Sequence, residues 1–197
     1  MVRVLIDELK EYAKKNHVPI MQDEGIEFIL EYIKKNNVKS VLEIGSAIGY
    51  SAIRFASMSD DIIVTTIEHD SERYNEAVKN IKQSNLEDRI TIINGDALTV
   101  DIKDKYDLIF IDAAKSKYTK FFEKFKFNLN DNGVIISDNL SFHGLVEDDS
   151  KTNNRNTKQL VKKIRKYIEF LETNEQFDTE FLKIGDGVSV SRFKYKA

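Results

Sequence analysis

A chain of 197 residues, 41% hydrophobic and 32% charged, can bury a sizeable core and has the balance of a soluble globular protein. Its net charge of −3 offers no global basic field for nucleic acid, although a local basic face stays open, and its lack of cysteine rules out disulfides and thiolate metal sites and fits a reducing cytoplasm. No stretch approaches the ~18 apolar residues of a membrane helix, and the opening MVRVLIDELKEY carries acids and no cleavage site, so neither a span nor a signal peptide is expected.

Val2, Leu5, Ile6, Leu9 and Tyr12 recur at helical spacing and predict a helix over 2–16. His17-Val18-Pro19 stops it, because the residue before proline avoids the helical region. A second helix is predicted over 22–36, with Ile26, Ile29, Leu30 and Ile33 inward. Apolar runs at 40–44, 62–67, 90–93, 107–111 and 133–137 then read as buried strands. Helical patterns at 49–58, 71–84 and 118–127 separate most of them, which predicts a parallel sheet with helices on both faces. A basic helix over 155–172 follows. Two runs, Phe177–Ile184 and Gly187–Tyr195, are joined by Gly185-Asp186-Gly187 as an antiparallel hairpin. The expectation is an α/β chain forming a single domain over 1–197, with 1–38 as an N-terminal helical cover.

Ligands of such sheets bind beyond the carboxyl ends of the strands. All five early strands end on polar or glycine residues: Glu43-Ile44-Gly45, Glu68, Gly95-Asp96-Ala97, Asp112, and Asp138-Asn139. In VLEIGSAIGYS, Gly45 and Gly49 let the backbone approach a ligand, and the helix start near Tyr50-Ser51 offers N–H groups to an anion. Glu68, ending the next strand, is placed to accept from both ribose hydroxyls, and Asp96-Ala97 to flank an adenine. Ordinary turn and cap roles remain the alternative for each residue alone, and a nicotinamide cofactor would suit much of this half.

Asp112, Asp138 and Asn139 are three oxygen donors at the ends of adjacent strands, a set that suits Mg²⁺ or Mn²⁺. Lys115, three residues past Asp112, is either a plain salt-bridge partner or, beside a dication, a base. His17 and His69 read as solvated or capping residues, and His143 as a residue at the substrate entrance.

The segments LEIGSAIGYSA, TIEHD, GDA, IFIDAAKSKY, ISDNLSFHGLV and IGDGVSVS together resemble the cation-dependent class I O-methyltransferases, which include the catechol and caffeoyl-coenzyme A enzymes. The likeness runs from about Pro19 to Arg192. It is nearest to the bacterial tRNA 5-hydroxyuridine methyltransferases, whose C-terminal part this chain's tail KQLVKKIRKYIEFLE and IGDGVSVS hairpin resemble. The resemblance implies a Rossmann-like, mostly parallel seven-stranded sheet with a C-terminal antiparallel hairpin. It implies S-adenosylmethionine (SAM) as methyl donor, a divalent cation and a homodimer. By position, Asp112, Asp138 and Asn139 would be metal ligands, with Asp112 also near the methionine end of SAM. Glu68 would hold the ribose, and Asp96 and Ala97 the adenine. Glu43, Gly45 and Ser51 would surround the methionine moiety, bordered by Met21, and Lys115 would be the base. The catechol enzymes carry His-Trp where this chain has Ala113-Ala114, which implies a more open site.

The leading expectation is therefore methyl transfer to 5-hydroxyuridine in a tRNA anticodon loop, with Lys158, Lys162, Lys163, Arg165, Lys166, Arg155 and Lys151 as candidate phosphate contacts and Tyr118, Phe142 and His143 as possible base stackers. A catechol- or hydroxycinnamate-type enzyme is the alternative, and a non-catalytic SAM- or dinucleotide-binding module is the third.

Overall fold

The computed structural model describes residues 2–194, and side chains from Val4 onward. Tyr195, the expected end of the last strand, and the side chain of Val2 lie outside the described residues. Among the described residues six α-helices and seven strands follow one another in the order the sequence predicts, and the sheet order is β3-β2-β1-β4-β5-β7-β6. The chain groups into two compact units, Met1–Ile102 and Lys103–Ala197, and each is built as follows.

Unit one holds α1 (Val2–Lys15), α2 (Asp23–Lys35), β1 (Ser40–Ile44), α3 (Tyr50–Ala56), β2 (Ile63–Glu68), α4 (Ser71–Gln83) and β3 (Ile90–Asn94). Helix α1 buries Leu5, Ile6, Leu9 and Ala13, whereas Tyr12, expected inward, is exposed with Val4. Helix α2 buries Ile26, Ile29, Leu30 and Ile33 as its periodicity predicts. Its acids Asp23 and Glu24 lie in the first turn and Lys34 and Lys35 in the last, each complementing the helix dipole. Asp70 caps α4, accepting from the N–H groups of Glu72 and Arg73 at 2.9 Å. The three strands are parallel and in register, pairing Ile44 with Ile67 and Glu68 with Asn94. That register brings the three carboxyl ends level.

Unit two holds β4 (Tyr106–Ile111), α5 (Tyr118–Phe125), β5 (Leu129–Ser137), α6 (Arg155–Glu172), β6 (Phe177–Leu182) and β7 (Val188–Phe193). Strand β5 begins four residues before the expected run at 133. Leu129-Asn130-Asp131-Asn132-Gly133 reads locally as a turn, but pairing of Leu129 with Tyr106 draws it into the sheet, with a register irregularity between Tyr106 and Leu108. Cross-strand pairing here overrides turn propensity. Strands β4 and β5 are parallel, and β5, β7 and β6 are antiparallel neighbours. An aromatic cluster fills the space under the helices. The Phe122 ring lies 5.4 Å from Phe170 and 4.9 Å from Phe177, and Tyr118 meets Tyr167 edge-on at 5.3 Å. Among the described residues no helix is long and apolar enough to cross a membrane.

Candidate active site

In unit one the level strand ends collect the residues expected around a nucleotide. Glu43, fully buried at the end of β1, accepts from Ser51 on α3 and from Thr66 Oγ1 on β2 at 2.5 Å. Each of its carboxyl oxygens is thus held by one hydroxyl, and Ser51 serves first as a partner of Glu43. Thr66 was not singled out from sequence, where it is one of two threonines inside an apolar run. The turn after β1 is left-handed at Gly45 (φ 98°), Ala47 (φ 46°) and Gly49 (φ 82°). At Gly49 an added Cβ would make only ordinary contact with Ala77 of α4 at 3.4 Å, so it is the left-handed backbone that favours glycine there.

Glu68 is 7% exposed, and its two carboxylate oxygens accept from the N–H of Ala47 at 2.7 Å and of Asp70 at 2.8 Å. One bond per oxygen leaves further lone pairs for ribose hydroxyls. Asp96 follows β3 and accepts from Leu98 N–H at 2.9 Å, with Ala97 buried beside it. Met21 is buried, and its thioether methyl occupies the space where a Cβ on Gly25 would sit.

In unit two the register pairs Ile111 with Ser137, so the next residues, Asp112 and Asp138, stand abreast on neighbouring parallel strands. Asp138 is 4% exposed and Asp112 keeps 23% of its side-chain surface. Burial pushes the Asp138 carboxyl up to about 7, with the Asp112 charge adding to the rise. Burial raises Asp112 as well, against the pull of Lys115, whose Nζ lies 3.9 Å from Asp112 Oδ1. A buried acid pair in which the charge of one member raises the other is suited to a cation between them.

Asn139 donates from Nδ2 to Asp138 Oδ2 at 2.8 Å and to Asp112 Oδ1 at 3.3 Å. A half-turn of the amide would present its oxygen instead. Among the described residues no group of three or more His, Cys, Asp or Glu is placed to hold a metal. The donor set is instead two carboxylates and an amide, all hard oxygen ligands, which fits Mg²⁺ or Mn²⁺.

Two expectations change on the structure. Tyr118 is 1% exposed, packed on Tyr167, and donates to the Asp138 carbonyl at 3.1 Å, so it supports the acid pair and cannot stack on a base. Arg165 is engaged within the unit, donating to the Val146 carbonyl at 2.9 Å and to Asp149 at 3.0 Å. His143 is exposed beside half-buried Phe142, with ring centroids 5.5 Å apart, so those two remain as stackers. His17 and His69 are exposed, as expected of solvated residues.

The O-methyltransferase family model matches residues 2–194. A solved Staphylococcus aureus structure named "putative caffeoyl-CoA O-methyltransferase" is 43% identical, with a TM-score of 0.91, covering 95% of this chain and 91% of that one. A Bacillus cereus O-methyltransferase, solved with S-adenosylhomocysteine, is 26% identical with a TM-score of 0.83, covering 97% and 91%. The caffeoyl-CoA O-methyltransferase of Medicago sativa is 30% identical over 204 residues, 94% of this chain and 80% of that protein. These likenesses agree with the Rossmann-like topology. The chain belongs to the O-methyltransferase family.

Proposed function

We propose that the protein transfers the methyl group of SAM to the 5-hydroxyl of 5-hydroxyuridine at the wobble position of tRNA. Glu68 holds the ribose of SAM, Asp96 and Ala97 the adenine, and Glu43, Gly45, Ser51 and Met21 enclose the methionine portion. Asp112, Asp138 and Asn139 hold Mg²⁺ or Mn²⁺. Such a cation supplies positive charge that lowers the pKa of an acceptor hydroxyl. Lys115, its amine 3.9 Å from Asp112, takes the acceptor proton. The observation that carries this reading is the buried acid pair on β4 and β5 with a lysine beside it. A family of hydroxyl methylators needs an acceptor oxygen made anionic, and this pair is the place where a cation and a base meet.

The choice of RNA rests on α6 and on the chain beside Asp112. Lys162, Lys163 and Lys166 are exposed on α6, with Arg155 and Lys151 exposed at its start. They form a face suited to phosphate, and binding through it falls steeply with salt. Ala113 and Ala114 are small side chains next to Asp112, which suits a nucleotide. A small phenolic acceptor is the second reading, favoured by the names of the Staphylococcus aureus and Medicago sativa relatives. A tRNA substrate puts the reaction in the cytoplasm. A homodimer is also proposed, with exposed Val4 and Tyr12 of α1 as the surface a second copy covers.

The test offers hydroxylated tRNA, unmodified tRNA and caffeoyl-CoA with SAM and Mg²⁺, and analyses the products by mass. Methylated 5-hydroxyuridine, lost on chelation and in Lys115→Met, supports the proposal. Methylation confined to the phenol replaces it with the second reading.

A further inference from the structure

Asp186 has a role that the methyl-transfer reading does not use. It sits in the turn between β6 and β7, is 7% exposed, and its Oδ2 is buried with no hydrogen-bond donor. What it does engage is the chain just past the acid pair. Its other carboxylate oxygen accepts from the N–H of His143, and Oδ2 faces His143 Nδ1 at 3.4 Å. The Asp186 carbonyl accepts from Ser141 N–H at 2.8 Å, and the Gly187 carbonyl from Leu140 N–H at 3.0 Å.

The segment held in this way is conformationally costly. Asn139 (φ 64°), Phe142 (φ 48°), His143 (φ 58°) and Gly144 (φ 75°) are all left-handed, and three of the four carry side chains. Non-glycine residues stay in that region only when their surroundings over-determine it. The surroundings here are the hairpin turn. Gly187 itself comes so close that a Cβ there would meet Ser141 N at 2.8 Å.

We propose that Asp186 is a positioning residue that clamps residues 139–144, setting both the Asn139 ligand and the Phe142–His143 ring pair against the methyl acceptor. The carboxylate is suited to this because one oxygen accepts from the main-chain N–H of His143 while the other lies 3.4 Å from the ring nitrogen of the same residue. It fixes the left-handed turn at His143 and, two residues of chain away, the aim of Ser141. Ser141 Oγ in turn accepts from Gly144 N–H at 3.1 Å and donates to Glu147 at 3.0 Å, extending the clamp along the loop. The inference rests on the reading of unit two as the acceptor side, and it makes acceptor recognition, rather than SAM binding, depend on Asp186.

The experiment compares Asp186→Ala and Asp186→Asn with wild type. Hydrogen exchange of the 140–146 amides reads the clamp without turnover, and acceptor KM and SAM affinity read its consequence. Loss of a charge-assisted bond should speed exchange and raise acceptor KM about tenfold or more in Asp186→Ala. SAM affinity should stay at the wild-type value. Asp186→Asn keeps one acceptor oxygen and should fall between, and it carries the same readouts if the alanine variant does not fold. Unchanged exchange overturns the clamp. Faster exchange with unchanged acceptor KM, or equal loss of SAM affinity, overturns its role in positioning. Absence of wild-type turnover on either acceptor overturns the proposed function instead, while exchange still decides the clamp.

Discussion

Replacing Asp138 by Asn isolates the electrostatics of the acid pair. The Asp138 carboxyl titrates at about 7 in the folded chain, against an ordinary 3.8. The folded state therefore holds this proton more tightly than the unfolded state. Stability falls as pH rises from about 4 to about 7 and stays lowered above that. The rise from 3.8 to about 7 bounds the effect at about 4 kcal/mol. Asn139 gives Asp138 Oδ2 a 2.8 Å hydrogen bond that an amide accepts less strongly, which leaves a recoverable gain of about 2 kcal/mol. Metal-free Asp138→Asn should thus resist urea better than wild type near pH 8, by about 2 kcal/mol, and lose that advantage near pH 4. Millimolar Mg²⁺ should stabilise wild type near pH 8, do less near pH 5, and leave the variant unmoved, because a ligand stabilises only the form that binds it. Identical urea midpoints for wild type and variant across this pH range would refute the burial argument. Equal Mg²⁺ stabilisation of both would refute the ligand assignment.

Glu68→Gln keeps the shape of the side chain but offers one acceptor oxygen for the Ala47 and Asp70 N–H groups that now use two. Calorimetry should show SAM binding weakened about tenfold or more, with the Mg²⁺ response of the folded protein unchanged. Phe122→Ala removes a ring with no exposed surface from the contacts to Phe170 and Phe177. It should cost about 3–5 kcal/mol in denaturant unfolding, and a loss under 1 kcal/mol would mean that the cluster collapses around the gap.

The strands and helices were legible because their signals are local. β1 matches its apolar run residue for residue, and α2 and α6 follow from their periodicity and flanking residues. The five polar strand ends were legible for the same reason, since a buried run that stops on an acid marks itself. Three kinds of information were hidden. Leu129–Gly133 looks like a turn and becomes a strand because of a partner more than twenty residues earlier. Tyr118 looks like an exposed aromatic near a reactive lysine, yet the ring cluster takes it in, a fact that depends on Tyr167 and the helix carrying it. Asp186 reads as one residue of a Gly-Asp-Gly turn, and nothing in those three letters says that the turn reaches back to His143. The basic face of α6 was only partly legible, because charge can be counted from sequence while the Arg165 bonds to Val146 and Asp149 cannot.

The reach of that hairpin turn bears on synthesis. Asp186 lies 43 residues after the His143 N–H that it holds. On the ribosome the loop past Asp138 emerges well before its clamp. Over the same interval β5 lacks its neighbour β7, which pairs with Ile135, Ile136 and Ser137. A nascent chain at that stage carries every proposed cation ligand but presents an open sheet edge and an unrestrained acceptor loop. Insertion of β7 closes both at once, so the step that protects the unfinished sheet from sticking to other chains is also the step that completes the proposed acceptor side.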